Sequence, residues 1–387
     1  MTLLVIALAA CGRDAVVQPT TNAPKTEDAE RENLLNYAHG AVAVSRTAEA
    51  TRKGSIVRLI DGDREPGSFW STPPHDTEQT LVFALPSRTR VTRVGAQNGG
   101  GGTDALRFEA SLDGQAFRDL ATVTLQRNQE PQLFDVPPTE AAYLRVSTPA
   151  TDRLFIGLNS VHARGVALEP VRPGSMDGCW AIDAEHAAMT QQGAYVFGQL
   201  GELLLDGGSD GRFYRFAWIK GNEYGLAAIS VTPDGRHMSG IKWHEEADPL
   251  FVGTTWIGEK TECAQQPRIS DAVFRAYLEK QGRFPMYGLR FDDEGRLMEA
   301  ESAVMLERLV QMKDVRIVAN ELRQPTVARN RAVAQAKLDT LRAALVKRGV
   351  DLTRFELVNH GSEQPHRPAE TEATRSLYGA VDLELRR

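Results

Sequence analysis

Long hydrophobic runs are missing from most of this chain. After residue 11 no stretch approaches 18 uncharged apolar residues, so no later segment can cross a bilayer as a helix. An excess of positive charge is missing too. With 45 Lys and Arg against 51 Asp and Glu the formal net charge is −6, which argues against nucleic acid, whose phosphates demand a basic face. No Gly-x-Ser-x-Gly, P-loop or dinucleotide fingerprint occurs. His244-Glu245-Glu246 lacks the second histidine of a zinc-binding H-E-x-x-H and sits in a strand-rich region, where a solvated hairpin is the plain reading. Gly99 to Gly102 precedes a strand, not a phosphate-binding helix. Cysteine is scarce, with three in 387 residues: Cys11, Cys179 and Cys263. What remains is a globular composition, 42% hydrophobic and 25% charged, long enough for two to three domains.

Leu8-Ala9-Ala10-Cys11-Gly12 ends an apolar run that starts at the second residue, and Arg13 and Asp14 turn polar at once. Apolar run, small residues and cysteine together resemble a bacterial lipoprotein signal, although no Lys or Arg precedes the run. The alternative is a frayed N-terminal strand. The resemblance implies a signal segment at 1–10, a lipid on Cys11 and a flexible tether over 11–32, where Gln18, Pro19, Thr20, Asn22 and Pro24 show no periodicity. It places the protein in the cell envelope, held to the membrane through the anchor. Gly12, not Asp, follows the cysteine, which points to the outer membrane. Cys179 and Cys263 then remain as a pair that an oxidising compartment would let join, the alternative being two unconnected buried thiols.

Residues 33–166 have a β texture: short alternating runs such as Leu81-Val82-Phe83, Val91 to Val94, Leu106 to Ala110 and Tyr143 to Val146. Turn clusters separate them at Asn98 to Gly102, Asp113-Gly114 and Pro137-Pro138. The order Asn36-Tyr37-Ala38, Gly40-Ala41, Ser45, Leu59-Ile60-Asp61-Gly62-Asp63 and Trp70 resembles a discoidin domain (F5/8 type C, galactose-binding-like), a jelly-roll β-sandwich. Ser111-Leu112-Asp113-Gly114-Gln115-Ala116-Phe117 resembles its S-x-D-G-x-x-W turn, with Phe as the aromatic. Ala142 to Val146 and Leu158 to Gly165 resemble its later strands. The resemblance implies a glycan or surface polymer as ligand. Loop groups would make the sugar contacts, with His75, Asp76, Arg153 and Phe155 as candidates, and Trp70 would lie in the core. It further implies a structural calcium near Asp61, Asp63 and Asn159; a metal-free Asp-Gly-Asp turn is the alternative. No other cofactor is expected.

A linker around Glu169 to Gly174 leads to residues 174–265, rich in glycine and aromatics: Tyr195-Val196-Phe197-Gly198, Phe213-Tyr214-Arg215-Phe216, Gly253-Thr254-Thr255-Trp256. Pro233-Asp234-Gly235-Arg236 is a hairpin turn by composition. These features predict a β-meander or small barrel whose first and last strands a Cys179–Cys263 bond would tie.

Over 270–387 the period becomes helical. Val304, Leu306, Leu309 and Val310 form one stripe, and Ala334, Leu338, Leu341 and Leu345 another. Alternating runs lie around them at 287–291, 315–318, 355–358 and 381–385, in the order β-α-β-α-β-β. Gly288-Leu289-Arg290-Phe291-Asp292 as opening strand, Asn330, Leu345 and Gly349 on the long helix pattern, and Gly361-Ser362-Glu363-Gln364-Pro365 resemble the OmpA-like C-terminal domain. That family holds peptidoglycan by an Asp and an Arg that clamp diaminopimelate. Here those positions are Leu322, with Glu321 beside it, and Lys337. Leucine cannot pair with an ammonium, and lysine lacks the planar fork that matches a carboxylate. Glu321, Asn330 and Lys337 are therefore candidates for a degenerate peptidoglycan site.

Two readings follow. One is a non-enzymatic envelope lipoprotein that binds glycan through its discoidin-like domain and sits at the cell wall. The other is a secreted carbohydrate-active or cell-wall enzyme whose middle domain is catalytic. No nucleophile motif lies in that middle segment, which favours the first.

Overall fold

The computed structural model describes residues 32–48, 55–62, 69–99, 105–126, 130–182, 185–244, 253–263, 270–363 and 372–386. Cys11, the signal, most of the tether, Asp63, Glu245 and Glu246 lie outside the described residues.

The first unit is a β-sandwich. Its strands are β1 (Val42–Arg46), β2 (Trp70–Ser71), β3 (Thr80–Asn98), β4 (Leu106–Ser111), β5 (Arg118–Val123), β6 (Gln132–Ser147) and β7 (Gly157–Ala167). They hydrogen-bond in the order β2-β7-β3-β6-β4-β5, with β1 on β3. The runs expected as separate strands at 81–83 and 91–94 are one 19-residue strand, β3. Its register with β6 slips between Ala84 and Thr89 and again between Val91 and Arg93. Pro137 and Pro138, expected to mark a turn, fall at the second slip, inside β6. Proline cannot donate to a ladder, so a bulge is where a strand tolerates it. The bulges bend both long strands around a core that holds Trp70, Phe83, Phe108 and Phe134, all fully buried.

The Ser111 to Phe117 turn forms as its composition requires. Asp113 accepts from the Gln115 and Ala116 amides at 2.9 Å and from the Ser111 hydroxyl at 2.8 Å, and Gly114 takes φ +74°. Those two amides first, and Ser111 next, hold the Asp113 carboxyl down at about 2. Phe117 lies under the guanidinium of Arg145, 4.3 Å from ring centre, and Arg145 forks onto buried Glu109 at 2.5 and 2.6 Å.

The middle unit is a closed eight-stranded antiparallel barrel: β8 (Gly178–Ile182), β9 (Glu185–Gln192), β10 (Tyr195–Leu200), β11 (Leu203–Ser209), β12 (Tyr214–Lys220), β13 (Glu223–Val231), β14 (His237–His244) and β15 (Thr254–Thr261). Each strand pairs with the next, and β15 pairs with β8. Alternation explains the closure, because every second residue points inward. Trp180, Met189, Val196, Leu205, Phe216, Trp218, Ile229 and Trp256 form a single cluster that fills the interior. Cys179 stands opposite Thr261, and the Cys179–Cys263 disulfide locks the closing seam across 84 residues of sequence.

The junction at Gly174, where the segment read as a linker meets the β domain, does more than connect. Met176 is fully buried in the barrel cluster, its carbonyl accepts from Trp180 Nε1 at 2.9 Å, and Tyr214 donates to the Gly174 carbonyl at 2.7 Å. A Cβ on Gly174 would stand 2.2 Å from the Thr232 carbonyl oxygen, so only glycine admits this approach. Residues 174–176 therefore close one end of the barrel.

The third unit contains α1 (Ala272–Gln281), β16 (Arg283–Pro285), α2 (Ala303–Val310), β17 (Val315–Asn320), α3 (Val327–Lys347), β18 (Phe355–Gly361), α4 (Glu372–Tyr378) and β19 (Val381–Leu385). The sheet order is β16-β19-β17-β18, with β17 and β18 parallel and the other pairs antiparallel. Two expectations are corrected. The first strand is Arg283–Pro285, not Gly288 to Asp292; in that later stretch Phe291 makes only an isolated bridge to Leu297. A helix, α4, separates the last two strands, so the order is not a plain β-α-β-α-β-β. Both predicted helical stripes hold. Leu306 and Leu309 are buried on α2, and Ala334, Leu338, Leu341 and Leu345 on α3.

The three units share one hydrophobic cluster, running from Tyr37 and Ala43 through Phe213 and Tyr224 to Tyr277 and Leu383. On the sandwich side, the Ala43 amide donates to Ser239 Oγ at 2.9 Å, Ser230 donates to the Tyr37 carbonyl at 2.7 Å, and buried Arg58 donates to the Gly253 carbonyl. On the other side, Arg308 of α2 reaches buried Asp206 of β11 at 3.0 Å, and Tyr195 donates to the same carboxylate oxygen at 3.1 Å. Burial pushes the Asp206 carboxyl up to about 6, with Arg308 opposing it.

Candidate functional site

One end of the sandwich is built from two loops, 72–79 and 148–156, which the strand order β2-β7-β3-β6 sets side by side. The Thr72 amide donates to the Ile156 carbonyl at 2.9 Å, and the Ile156 amide returns to Thr72 Oγ1 at 3.0 Å. The His75 amide donates to the Leu154 carbonyl at 2.8 Å, and the Thr151 amide to Thr77 Oγ1 at 2.8 Å. Threonine suits this work because its hydroxyl both donates and accepts. The lacing holds the loop backbones in place, with Thr72, Thr77, Gln79, Thr148 and Ile156 buried and the side chains between them reaching the surface.

All four expected sugar contacts belong to this pair of loops. His75 and Asp76 are exposed, and Arg153 and Phe155 are half-buried. Leu154, which sequence reasoning did not select, is 54% exposed between Arg153 and Phe155. His75 sits at φ +62°, one of two described non-glycine residues with positive φ. A left-handed residue with a Cβ costs about 1 kcal/mol, and such strain clusters at ligand-contacting positions. The turn from Pro73 to Asp76 holds it there by a 3.2 Å hydrogen bond. An imidazole, a carboxylate and a guanidinium beside apolar surface suit a ligand with hydroxyl groups on one side and C–H groups on the other.

Trp70 is fully buried in the core, as its place in the pattern implied. Asp61 is 3% exposed and pairs with Arg58 at 3.3 Å, while Asn159 lies on β7. Among the described residues no group of three His, Cys, Asp or Glu side chains is placed to hold a metal ion.

The groups considered for peptidoglycan have other partners. Glu321 is fully buried and Lys337 is 3% exposed; Lys337 Nζ lies 2.8 Å from Glu321 and donates at 3.0 Å to the Asn320 and Gly379 carbonyls. All three ammonium donors are thus used within the fold. Burial opposes ionisation of Glu321, but Lys337 and Arg323 outweigh it and hold the carboxyl well below the usual range. Asn330 accepts from the Gln324 amide at 2.9 Å and so fixes the loop that follows Glu321. Glu321 and Lys337 are brought together as an internally satisfied pair, and Asn330 holds the loop beside them.

Beside that cluster, at the contact with the barrel, is a cavity of about 30 Å³. Asp210, Arg212, Arg215, Arg323 and Lys337 line it, together with Leu289 and Phe291. Sequence reasoning missed this place because its charged residues come from two units far apart in the chain. The one available signal was a charge inside an apolar strand, such as Arg215 between Tyr214 and Phe216. In the middle segment His244 stands edge-on to Trp218, ring centres 4.9 Å apart.

Residues 42–158 match the F5/8 type C domain family. No curated protein matches the chain. Among solved structures, CBM32-3 of a family 31 glycoside hydrolase from Clostridium perfringens is similar at 16% identity, covering 36% of this chain and 97% of its own, with a TM-score of 0.31. A putative chitobiase fragment from Bacteroides thetaiotaomicron is 24% identical over 34% of this chain and 92% of its own, with a TM-score of 0.29. The family 32 module of NanJ from C. perfringens, in complex with galactose, is 16% identical over 32% and 98%, with a TM-score of 0.28.

Proposed function

We propose that this protein is a non-enzymatic lipoprotein of the bacterial outer membrane that holds a glycan at the 72–79/148–156 face of its sandwich. The observation that carries the reading is the laced loop pair, with His75 in a left-handed conformation and polar and apolar groups side by side, inside the segment that matches the F5/8 type C family. The third unit, likened to the OmpA-like domain by its sequence pattern alone, would sit at the wall as a scaffold. Its Glu321–Lys337 pair is turned inward, so no diaminopimelate clamp is assigned to it.

A glycan array probed with the full chain is expected to give a defined set of binders. His75→Gly removes the imidazole at a backbone angle that glycine adopts freely, and Phe155→Ala removes the apolar surface; each is expected to weaken binding at least tenfold, or about 1.4 kcal/mol. A silent array, or variants that bind like the wild type, would remove this reading. Turnover of muropeptides or common glycans by the purified protein would replace it with the enzymatic one.

The anchor is tested separately. In cells fed an alkyne-tagged fatty acid, the full-length protein is expected to carry label that Cys11→Ser abolishes. Equal labelling of both would locate the lipid elsewhere, and no labelling of either would end the lipoprotein reading.

A further inference from the structure

We infer that the cavity between the barrel and the third unit binds one small anion of halide size, with the Arg215 guanidinium as its principal ligand.

Arg215 points outward from β12 and is 7% exposed. Its Nη1 donates to the Ser376 carbonyl at 3.1 Å, and its guanidinium lies 5.0 Å from the ring centre of Tyr287. Neither partner carries a full charge. No carboxylate among the described residues forms an ion pair with Arg215, and its Nε is buried without a hydrogen-bond partner. A buried guanidinium in that state carries a large desolvation cost that calls for a counter-charge.

The neighbouring charges are already committed. Lys337 and Arg323 share Glu321 at 2.8 and 3.2 Å, and Arg212 pairs with Asp293 at 3.3 Å. Asp210 accepts from Ser376 Oγ at 3.2 Å and lies 3.8 Å from Arg323. Four cations, Arg212, Arg215, Arg323 and Lys337, thus face three anions, Asp210, Asp293 and Glu321, and the surplus charge is positive. Burial disfavours the charged form of Arg215; the Asp210 field opposes this and the Arg323 field adds to it. The space of about 30 Å³ exceeds the roughly 10–15 Å³ that a water-sized occupant needs, so it admits a small anion such as a halide. Bound there, the anion would join the barrel to the loop after β17 and to α4, so the inference is independent of any glycan at the sandwich face.

The test is the thermal midpoint of the full chain in sodium chloride against sodium gluconate at constant ionic strength. Chloride is expected to raise the wild-type midpoint by a few degrees, saturating with concentration. Arg215→Met is expected to lose that response while keeping the response to ionic strength. If that variant does not fold, Arg323→Gln, which lowers the surplus charge at a less buried position, is expected to weaken the response severalfold. Crystals grown in bromide are expected to show an anomalous peak within hydrogen-bond distance of Arg215. Chloride and gluconate curves that coincide for the wild type, or a bromide map with no peak in the cavity, would overturn the inference.

Discussion

Replacing Cys179 and Cys263 together by alanine is expected to destabilise the barrel by about 4 kcal/mol. The estimate follows from the 84-residue separation of the bridged positions, which sets the loop entropy that the bond removes from the unfolded chain. The seam it locks is short. β8 and β15 share four paired positions, from Gly258↔Ile182 to Thr261↔Cys179, whereas β12 and β13 share seven. Without the bond, opening the cylinder at that seam exposes Trp180 and Trp256 to water. Thermal unfolding followed by tryptophan fluorescence is expected to shift down by on the order of 10 °C, for the double variant and for reduced wild type alike. A shift of about 1 °C or less in both would mean that strand pairing alone closes the barrel.

Lys337→Met is expected to cost about 3–5 kcal/mol, because it leaves the fully buried Glu321 carboxylate with Arg323 as its remaining cationic partner. The double variant Glu321→Gln/Lys337→Met is expected to recover most of that loss, since it removes both charges and keeps the volume. The pH dependence has a definite sign. Lys337 and Arg323 depress the Glu321 carboxyl, so its contribution is fully present above its ordinary value of 4.5 and is lost as pH falls below it. Wild-type stability is therefore expected to drop in acid more steeply than that of the double variant. Urea melts at pH 7 and pH 4 measure both effects. Equal stability of wild type and Lys337→Met at pH 7 would show that the pair contributes nothing.

The two units built on local turns were the most legible in the sequence. Ser111 to Phe117 announced its own geometry because Asp113 and Gly114 satisfy the turn without help from elsewhere. The barrel was legible as alternation, and its closure as a pair of cysteines. The long strand β3 was not. Its two halves look like separate strands because the bulge after Ala84 breaks the alternation, and only pairing with distant β6 shows them to be continuous. The opening strand of the third unit was misplaced for a related reason. Tyr287 to Phe291 alternates, but Tyr287 and Leu289 are buried as loop residues under the barrel contact, while β16 is three residues long and shows no period.

The sandwich was legible as a fold, its candidate face much less so. His75, Asp76, Arg153 and Phe155 could be named from the sequence only as polar and aromatic loop groups; their shared face, the positive φ of His75 and the outward Leu154 could not. The charged contacts between units left little trace in the sequence beyond a charge inside an apolar strand, as at Arg215. Asp206, Arg215 and Arg308 are outward-facing positions that an isolated barrel or helix would expose to water, and only the docked neighbour buries them.

The proposed glycan site lies at the laced loops of the sandwich. Chemical-shift mapping on isotope-labelled protein, with the best glycan from the array, tests it most directly. The largest shifts are expected in the amides of His75, Asp76, Arg153, Leu154 and Phe155, and to vanish in His75→Gly. Shifts centred on the barrel or the third unit, with residues 72–79 and 148–156 unmoved, would contradict it.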